Sequence, residues 1–228
     1  MKNLLIIFMS LLFVSSTITA QNSIGITTGF NIATISQNGI DNNEFLGIDY
    51  ATFGTLGINY SRELDANWSV VTGLNYARKG AITNIGKDFE LYGYALDIGA
   101  NVVHRMDYIE IPLMLQYNFK SDKSRITPYF FFGPQLSYET GYEMGFKAHI
   151  LVDINLYNYD VNIADGTFNR WDVSGIGGAG LAFPLGQGHL DFSASYQYGF
   201  TDLLDNPVLD FNLKHRNIRF GAGYYYNL

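Results

Sequence analysis

The feature that most constrains this chain is an alternation of apolar and polar residues with a period of two. The stretch IEIPLMLQYNF, Ile109–Phe119, carries an apolar side chain at every second position. A β-strand points successive side chains to opposite faces, so this stretch has one oily face and one mostly polar face. In a soluble sheet the oily face would be the core, whereas in a membrane barrel it would face lipid.

The same alternation recurs in eight segments. The predicted strands are Ser23–Ala33, Thr52–Arg62, Asn67–Lys79, His104–Phe119, Ile126–Glu139, Trp171–Pro184, His189–Phe200 and Asn217–Leu228. Each is long enough to cross a bilayer at a tilt, which takes roughly 9–11 residues. Short connections (ELDA, KSDKSR and LGQG) alternate with long ones along the chain. Short periplasmic turns alternating with long external loops are typical of outer-membrane barrels.

The faces opposite the oily ones decide which side meets water. They are rich in glycine, serine and other small polar residues, whereas a soluble sandwich would expose lysine, glutamate and threonine there. Small residues suit the crowded interior of a narrow barrel. The sequence therefore predicts an all-β fold, an eight-stranded antiparallel transmembrane up-and-down β-barrel with its oily face in lipid.

Aromatic residues on the oily faces gather near both ends of the predicted strands. Amphipathic aromatic rings favour the two membrane interfaces, where they form girdles. The predicted girdle residues are Tyr60, Trp68, Tyr76, Tyr117, Phe119, Tyr138, Trp171, Phe183, Phe200 and Tyr226.

The N-terminus predicts export. A positive start is followed by the apolar run LLIIFMSLLFV and the small, polar SSTITA, the pattern of a secretory signal peptide. We expect residues 1–20 to be the signal peptide, residues 21–228 to be the barrel domain, and the cell outer membrane to be the location. The chain has no cysteine, which excludes disulfides, and its net charge of −7 argues against nucleic-acid binding.

Six polar or charged residues are predicted to line the barrel interior: Lys79, Glu110, Gln116, Asp172, Asp191 and Arg219. Four of them, Lys79, Glu110, Asp172 and Arg219, would share one layer near the long loops. One interpretation is a charged constriction that selects ions. We favour an internal salt-bridge plug, because a barrel of eight strands is just filled by side chains and buried charges need partners.

Enzymatic chemistry has little support in the sequence. A lipid-modifying barrel would need a nucleophile beside a base near the external leaflet. The histidines are His104, His149, His189 and His215, and no serine lies at a telling spacing from any of them. His104 and His215 could meet at the rim, but two histidines form neither a triad nor a metal site. We predict no enzymatic activity, no catalytic residue, no metal and no cofactor.

The third long loop is unusually aromatic, and its segment HILVDINLYNYDV alternates like a strand. This pattern predicts that the fifth and sixth strands continue as a hairpin above the membrane. Such a hairpin would either offer an edge to partner proteins or fold over the barrel mouth.

Five motifs in order carry a family resemblance: LNYARKGA, YIEIPLMLQYNF, TPYFFFGP, GIGGAGLAF and LDFSASYQYGFTDLLD. Together they resemble the PorT-like outer-membrane β-barrel family of Bacteroidota, which are small porin-like barrels. The resemblance implies a monomeric eight-stranded barrel in outer-membrane lipid. It also implies a link to type IX protein secretion and gliding, which one branch of the family has.

The sequence thus predicts a non-enzymatic, plugged barrel that acts through its extracellular loops or within an envelope assembly. The expected partners are outer-membrane lipid and proteins of the envelope or of the secretion machinery. Two alternatives stay open: an accessory component of type IX secretion or gliding, and a narrow diffusion pore for small solutes or ions.

Overall fold

The computed structural model describes residues 21–38, 46–86, 89–91, 94–96, 98–121, 124–150, 152–160, 169–202 and 212–228. The predicted signal peptide, residues 1–20, lies outside these ranges. Regular structure within them consists of β-strands. No helix in this part of the chain combines the length and the apolar character needed to cross a membrane.

The strands follow one another in the order β1 (Asn22–Asn38), β2 (Leu46–Asp49), β3 (Ala51–Glu63), β4 (Trp68–Gly86), β5 (Phe89–Leu91), β6 (Tyr94–Leu96), β7 (Ile98–Asn118), β8 (Thr127–Ile150), β9 (Val152–Asp160), β10 (Trp171–Leu185), β11 (Gly188–Gly199) and β12 (Asn212–Asn227).

Eight of these strands form a closed antiparallel barrel, which confirms the predicted fold class. Around the ring the order is β1, β3, β4, β7, β8, β10, β11 and β12, and β12 returns to pair with β1. Two short strands extend this ring: β2 continues the line of β3 along β4, and β9 continues the line of β10 along β8. Strands β5 and β6 pair with each other in a separate small sheet.

The connections give the barrel two different ends, which we name the turn end and the loop end. Residue 21, residue 228 and the short turns after β3, β7 and β10 lie at the turn end. The tightest of these turns is Gly186–Gln187, where Gly186 has a φ of 61°, a left-handed conformation that glycine adopts readily. The strand ends that the long connections join lie at the loop end.

Strands at the loop end run further than the sequence predicts. Strand β4 continues to Gly86 and pairs with β7, which begins at Ile98 instead of His104. The predicted hairpin extension is confirmed, since β8 and β9 pair from Glu143↔Asp160 near the ring to Ile150↔Val152 at the tip. The alternation of apolar and polar residues is irregular in these extensions, and for this reason the sequence does not predict them as strands. They are strands because they pair with a neighbouring strand.

The exterior is apolar and the interior largely polar, as the alternation predicts. Ile26, Ile58 and Leu74 are each more than half exposed on the outside. On the inward faces of β1 and β3, Asn31 and Asn59 are buried. An exposed apolar band around the whole barrel is the surface that lipid requires.

The aromatic residues predicted as girdles face outward in two groups. At the turn end the rings of Trp68 and Tyr117 lie 4.9 Å apart, and at the loop end those of Tyr138 and Trp171 lie 4.8 Å apart. The turn-end group is Tyr60, Trp68, Tyr117, Phe119, Phe183 and Tyr226, and the loop-end group is Tyr76, Tyr138, Trp171 and Phe200.

Among the small inward residues the interior also holds large rings, including Tyr129 and Tyr225. Each ring lies over a glycine of a neighbouring strand. A Cβ added at Gly25 would stand 2.5 Å from the ring of Tyr225, and one at Gly180 would collide with the hydroxyl of Tyr129. Rows of inward glycine therefore make room for aromatic side chains that fill the barrel.

Candidate functional site

Four charged side chains from four strands meet inside the barrel. The Nζ of Lys79 lies 2.7 Å from Oε1 of Glu110 and 3.7 Å from Oδ2 of Asp172. The Nη2 of Arg219 lies 2.7 Å from Oε2 of the same Glu110. Lys79, Glu110 and Asp172 have almost no solvent exposure, and Arg219 has little. We call these four residues the charge cluster.

Strand parity explains why these side chains point inward, but not why they meet. Lys79 on β4 pairs with Met106 on β7, whereas Glu110 lies four residues further along β7. The long lysine side chain runs along the interior toward the turn end and spans that offset. Gly80 follows it, where any side chain would collide with the carbonyl oxygen of His104 on β7. The two strands can thus approach closely beside the lysine.

The charge cluster is neutral, because two cations face two carboxylates. Bringing ions out of water costs several kcal/mol each unless partners and hydrogen bonds replace the water. Arg219 has such a further bond, since its Nε donates to Oδ1 of Asn31 at 2.6 Å. The ammonium of Lys79 also stands over the ring of Tyr108, 4.7 Å from its centre.

Neutral polar residues continue this layer toward the loop end. The Tyr108 hydroxyl lies 3.0 Å from Nε2 of His215, which is fully buried. A second chain of bonds runs from Asn217 Nδ2 to Gln197 Oε1 at 3.0 Å, and from Gln197 Nε2 to Ser174 Oγ at 2.8 Å. Together with the charge cluster, these buried side chains form a polar layer inside the barrel.

Several of these residues were not among the predicted site residues. Inward parity could have pointed to Asn31 and Asn217, which lie on strands that the sequence predicts. His215 precedes the last predicted strand, and the suggestion that it meets His104 at the rim is wrong. His215 bonds to Tyr108 inside the barrel, whereas His104 Nδ1 lies 2.7 Å from the hydroxyl of Tyr142.

The other two predicted interior residues, Gln116 and Asp191, lie apart from the charge cluster. Both line a cavity of about 320 Å³ inside the barrel, nearer the turn end, which we call the turn-end chamber. Gln116 donates to Asn118 at 2.7 Å, and Asp191 accepts a bond of 2.6 Å from the hydroxyl of Tyr129. Arg219 lines the inner end of this chamber. Arg219 therefore belongs both to the charge cluster and to the lining of the chamber.

Within the described ranges, no group of three or more histidine or acidic side chains is arranged to hold a metal ion. His104 and His215 are hydrogen-bonded to tyrosine hydroxyls, and His189 stacks on Tyr225, with ring centres 5.1 Å apart. The arrangement of the charge cluster and its polar neighbours is suited to neutralising buried charges and filling the interior of the barrel.

Comparisons with known proteins give a family and several structural likenesses. A family model described as "Outer membrane protein beta-barrel domain" matches residues 19–205. No curated protein matches the chain.

Three outer-membrane proteins are among the solved structures to which the chain is similar. For OprG from Pseudomonas aeruginosa the identity is 14% and the TM-score 0.44, covering 91% of this chain and 96% of that one. For Ail from Yersinia pestis the identity is 18% and the TM-score 0.40, covering 90% of this chain and 99% of that one. For a major outer membrane protein from Thermus thermophilus the identity is 12% and the TM-score 0.45, covering 92% of this chain and 100% of that one.

Proposed function

Since this chain belongs to the outer membrane protein β-barrel domain family, we propose that it is a plugged, non-enzymatic, monomeric barrel that acts through its loop end or within an envelope assembly. Its location is the outer membrane. Barrels of this membrane have short periplasmic turns and longer extracellular loops. The turn end therefore faces the periplasm in this proposal, and the loop end faces the exterior.

The observation that carries the plug is the charge cluster. Glu110 is ion-paired to both Lys79 and Arg219 at 2.7 Å, and these contacts tie β4, β7 and β12 together across the bore. An ion passing through would have to separate these pairs, and a buried ion pair is strongly destabilised by loss of one partner. Such a barrel is a rigid support for the structure above it.

The observation that supports a role for the loop end is the extension of the sheet beyond the loop-end girdle. Tyr157 and Tyr159 on β9 are exposed by 65% and 54%. Strand β9 pairs with β8 on one side and is the last strand of that part of the described sheet. Aromatic side chains on a terminal strand are well suited to binding an extended segment of another protein.

Conductance tests the plug. We expect residues 21–228, refolded into a planar bilayer, to give no stepwise current, because the charge cluster closes the bore. The Glu110→Gln variant should then differ from the wild type in stability only. Steps in the wild type, with an ion selectivity that changes in Glu110→Gln, would overturn the plug.

A narrow diffusion pore is the second candidate, and the turn-end chamber favours it. The chamber of about 320 Å³ reaches Arg219, so the closed layer is only part of the length of the barrel. The conductance experiment decides between the two, because a pore requires current in the unmodified protein.

Cross-linking of intact cells, followed by purification and identification of what is attached, tests the assembly. We expect envelope proteins to be recovered with the wild type and lost with Tyr157→Ala/Tyr159→Ala. Tyr50→Ala is the matched control, since Tyr50 is another tyrosine exposed by 65% near the loop end. Recovery of secretion or gliding components would favour the accessory role that the family resemblance implies. Recovery of the barrel alone would contradict an assembly.

A further inference from the structure

A groove of about 540 Å³ lies on the outward face of the barrel along β10. Its floor is the backbone at Gly175 and Gly177, where no side chain projects. Its walls come from the two strands that flank β10 and consist of Phe132 and Pro134 on β8 and Tyr196, Tyr198 and Phe200 on β11. We call this the β10 groove.

The packing of the barrel does not require a glycine at Gly177. A Cβ added there would meet a single atom, the carbonyl oxygen of Phe131 at 3.8 Å, which is an ordinary contact. At Gly175 the nearest atom would be the tip of the Phe200 ring at 3.1 Å. Glycine inside a strand weakens the strand, and it often marks a place where a ligand approaches the backbone.

The loop-end mouth of the β10 groove carries a fixed positive charge. The guanidinium of Arg216 stacks on Tyr198, 3.6 Å from the ring centre, and Tyr198 is itself a wall of the groove. The Nη1 of Arg216 donates to the carbonyl oxygens of Gly199 and His215 at 3.1 and 2.9 Å. A guanidinium has five N–H donors, so three remain for other acceptors.

A second cation, Arg170, lies further toward the loop end. It stands over the ring of Tyr138, 4.9 Å from its centre, its Nε donates to the carbonyl oxygen of Glu139 at 3.4 Å, and it precedes Trp171 of the loop-end aromatic group. Arginine stacked on aromatic rings at a membrane interface is suited to binding phosphate, which it can hold with two parallel bonds. The groove thus has apolar walls, one of which, Tyr198, carries the stacked guanidinium of Arg216.

We propose that the β10 groove binds one acyl chain of a phosphate-bearing lipid of the outer leaflet, with the lipid phosphate at Arg216. Charge complementarity favours this occupant over a second copy of the chain, because a symmetric copy would bring the same two arginines to the contact. The proposal needs only the outer-membrane location and is independent of the plug and of the role of the loop end.

Native mass spectrometry of the detergent-purified protein tests it, with dimyristoyl phosphatidylglycerol as the anionic probe and dimyristoyl phosphatidylcholine as the zwitterionic one. We expect one phosphatidylglycerol to remain bound in preference to phosphatidylcholine. Gly177→Leu should abolish this binding by filling the groove. Gly54→Leu is the matched control: Gly54 is also outward-facing, and an added Cβ there meets nothing within 4 Å.

The variant Arg216→Gln tests the proposed contact between the lipid phosphate and Arg216. Loss of one interfacial cation should reduce the preference for phosphatidylglycerol about fivefold. Arg78→Gln is its control, because Arg78 is an arginine on β4 that is already ion-paired with Asp107 at 2.7 Å. Both glycine variants should keep the wild-type shift in gel mobility on heating, which shows that they fold.

Three results would overturn the proposal: equal lipid retention by Gly177→Leu and the wild type, equal retention of the two lipids, or a dimer that Gly177→Leu abolishes. A current in the conductance experiment would overturn the plug without affecting the β10 groove.

Discussion

Glu110 on β7 and Arg219 on β12 meet across the bore, with 2.7 Å between Oε2 and Nη2, although three strands separate β7 from β12 around the barrel. Tyr108 and His215, from the same two strands, repeat the crossing at 3.0 Å. These contacts hold opposite walls of the barrel together. The backbone ladders join only neighbouring strands, so the side chains supply a separate source of rigidity.

The first prediction concerns the ion pairs of Glu110. The variant Glu110→Gln should lose about 3–5 kcal/mol of unfolding free energy, because it leaves buried cations without a full set of partners. Denaturant unfolding in lipid vesicles measures this loss. Glu63→Gln is the control, since Glu63 pairs with Lys120 at the same distance of 2.7 Å but in water, and it should lose about 1 kcal/mol or less. Equal losses would contradict a buried cluster.

The second prediction concerns the depth of the lipid-facing surface. Leu113 lies on β7 midway between Ile109, at the level of Tyr76, and Tyr117, at the level of Trp68. Arginine at the bilayer midplane costs about 2–4 kcal/mol, so Leu113→Arg should destabilise the barrel by that amount. Leu64→Arg, in the turn after β3, should change the unfolding free energy little. A similar effect of both substitutions would place the membrane elsewhere.

The third prediction concerns the turn-end chamber. Tyr129 donates its hydroxyl to the carboxylate of Asp191 at 2.6 Å within the barrel. A hydrogen bond to a charged group contributes about 1.5–3 kcal/mol, so Tyr129→Phe should reduce the unfolding free energy by that range. Tyr226→Phe removes an exposed bond of 2.7 Å to Gln187 and should have a smaller effect. If Tyr226→Phe proved the more damaging, the chamber would not be a buried site.

The fourth prediction concerns pH and the turn after β3, outside the membrane-spanning strands. The backbone N–H groups of Trp68 and Asn67 donate to Asp65 and hold the pKa of its carboxyl below the ordinary value. Because the folded pKa is the lower one, this stabilisation is complete above about pH 4, the unfolded value, and is lost as the pH falls through the folded pKa. Carbon NMR of the Asp65 carboxyl should show a titration midpoint below about 3.9. A midpoint at or above that value would contradict these bonds.

Much of the fold is encoded locally and could be predicted from the sequence. Alternation of single strands identifies the outward residues, such as Ile58 and Leu74, and the inward ones, such as Asn59 and Lys79. The number of alternating segments gives the number of strands, and the alternating connection lengths give the two ends. These features depend on the period of a strand, which a short segment already shows.

The individual contacts inside the bore could not be predicted in the same way. Glu110 meets Lys79 on the neighbouring strand although Met106 is the register partner of that lysine, because the side chain bridges an offset of four residues. The contact of His215 with Tyr108 requires the ring to close and places both in the interior. Offsets between strands that are not neighbours are a property of the whole barrel.

The position of Arg219 so near the C-terminus has a consequence for the order of assembly. Lys79 and Glu110 belong to strands that are neighbours in the sheet, so their ion pair can form as soon as β4 and β7 pair. Arg219 reaches Glu110 only when β12 has docked on β1, which is the step that joins the two ends of the sheet. The second ion pair therefore requires the closed barrel, and its formation reports that the ring has closed.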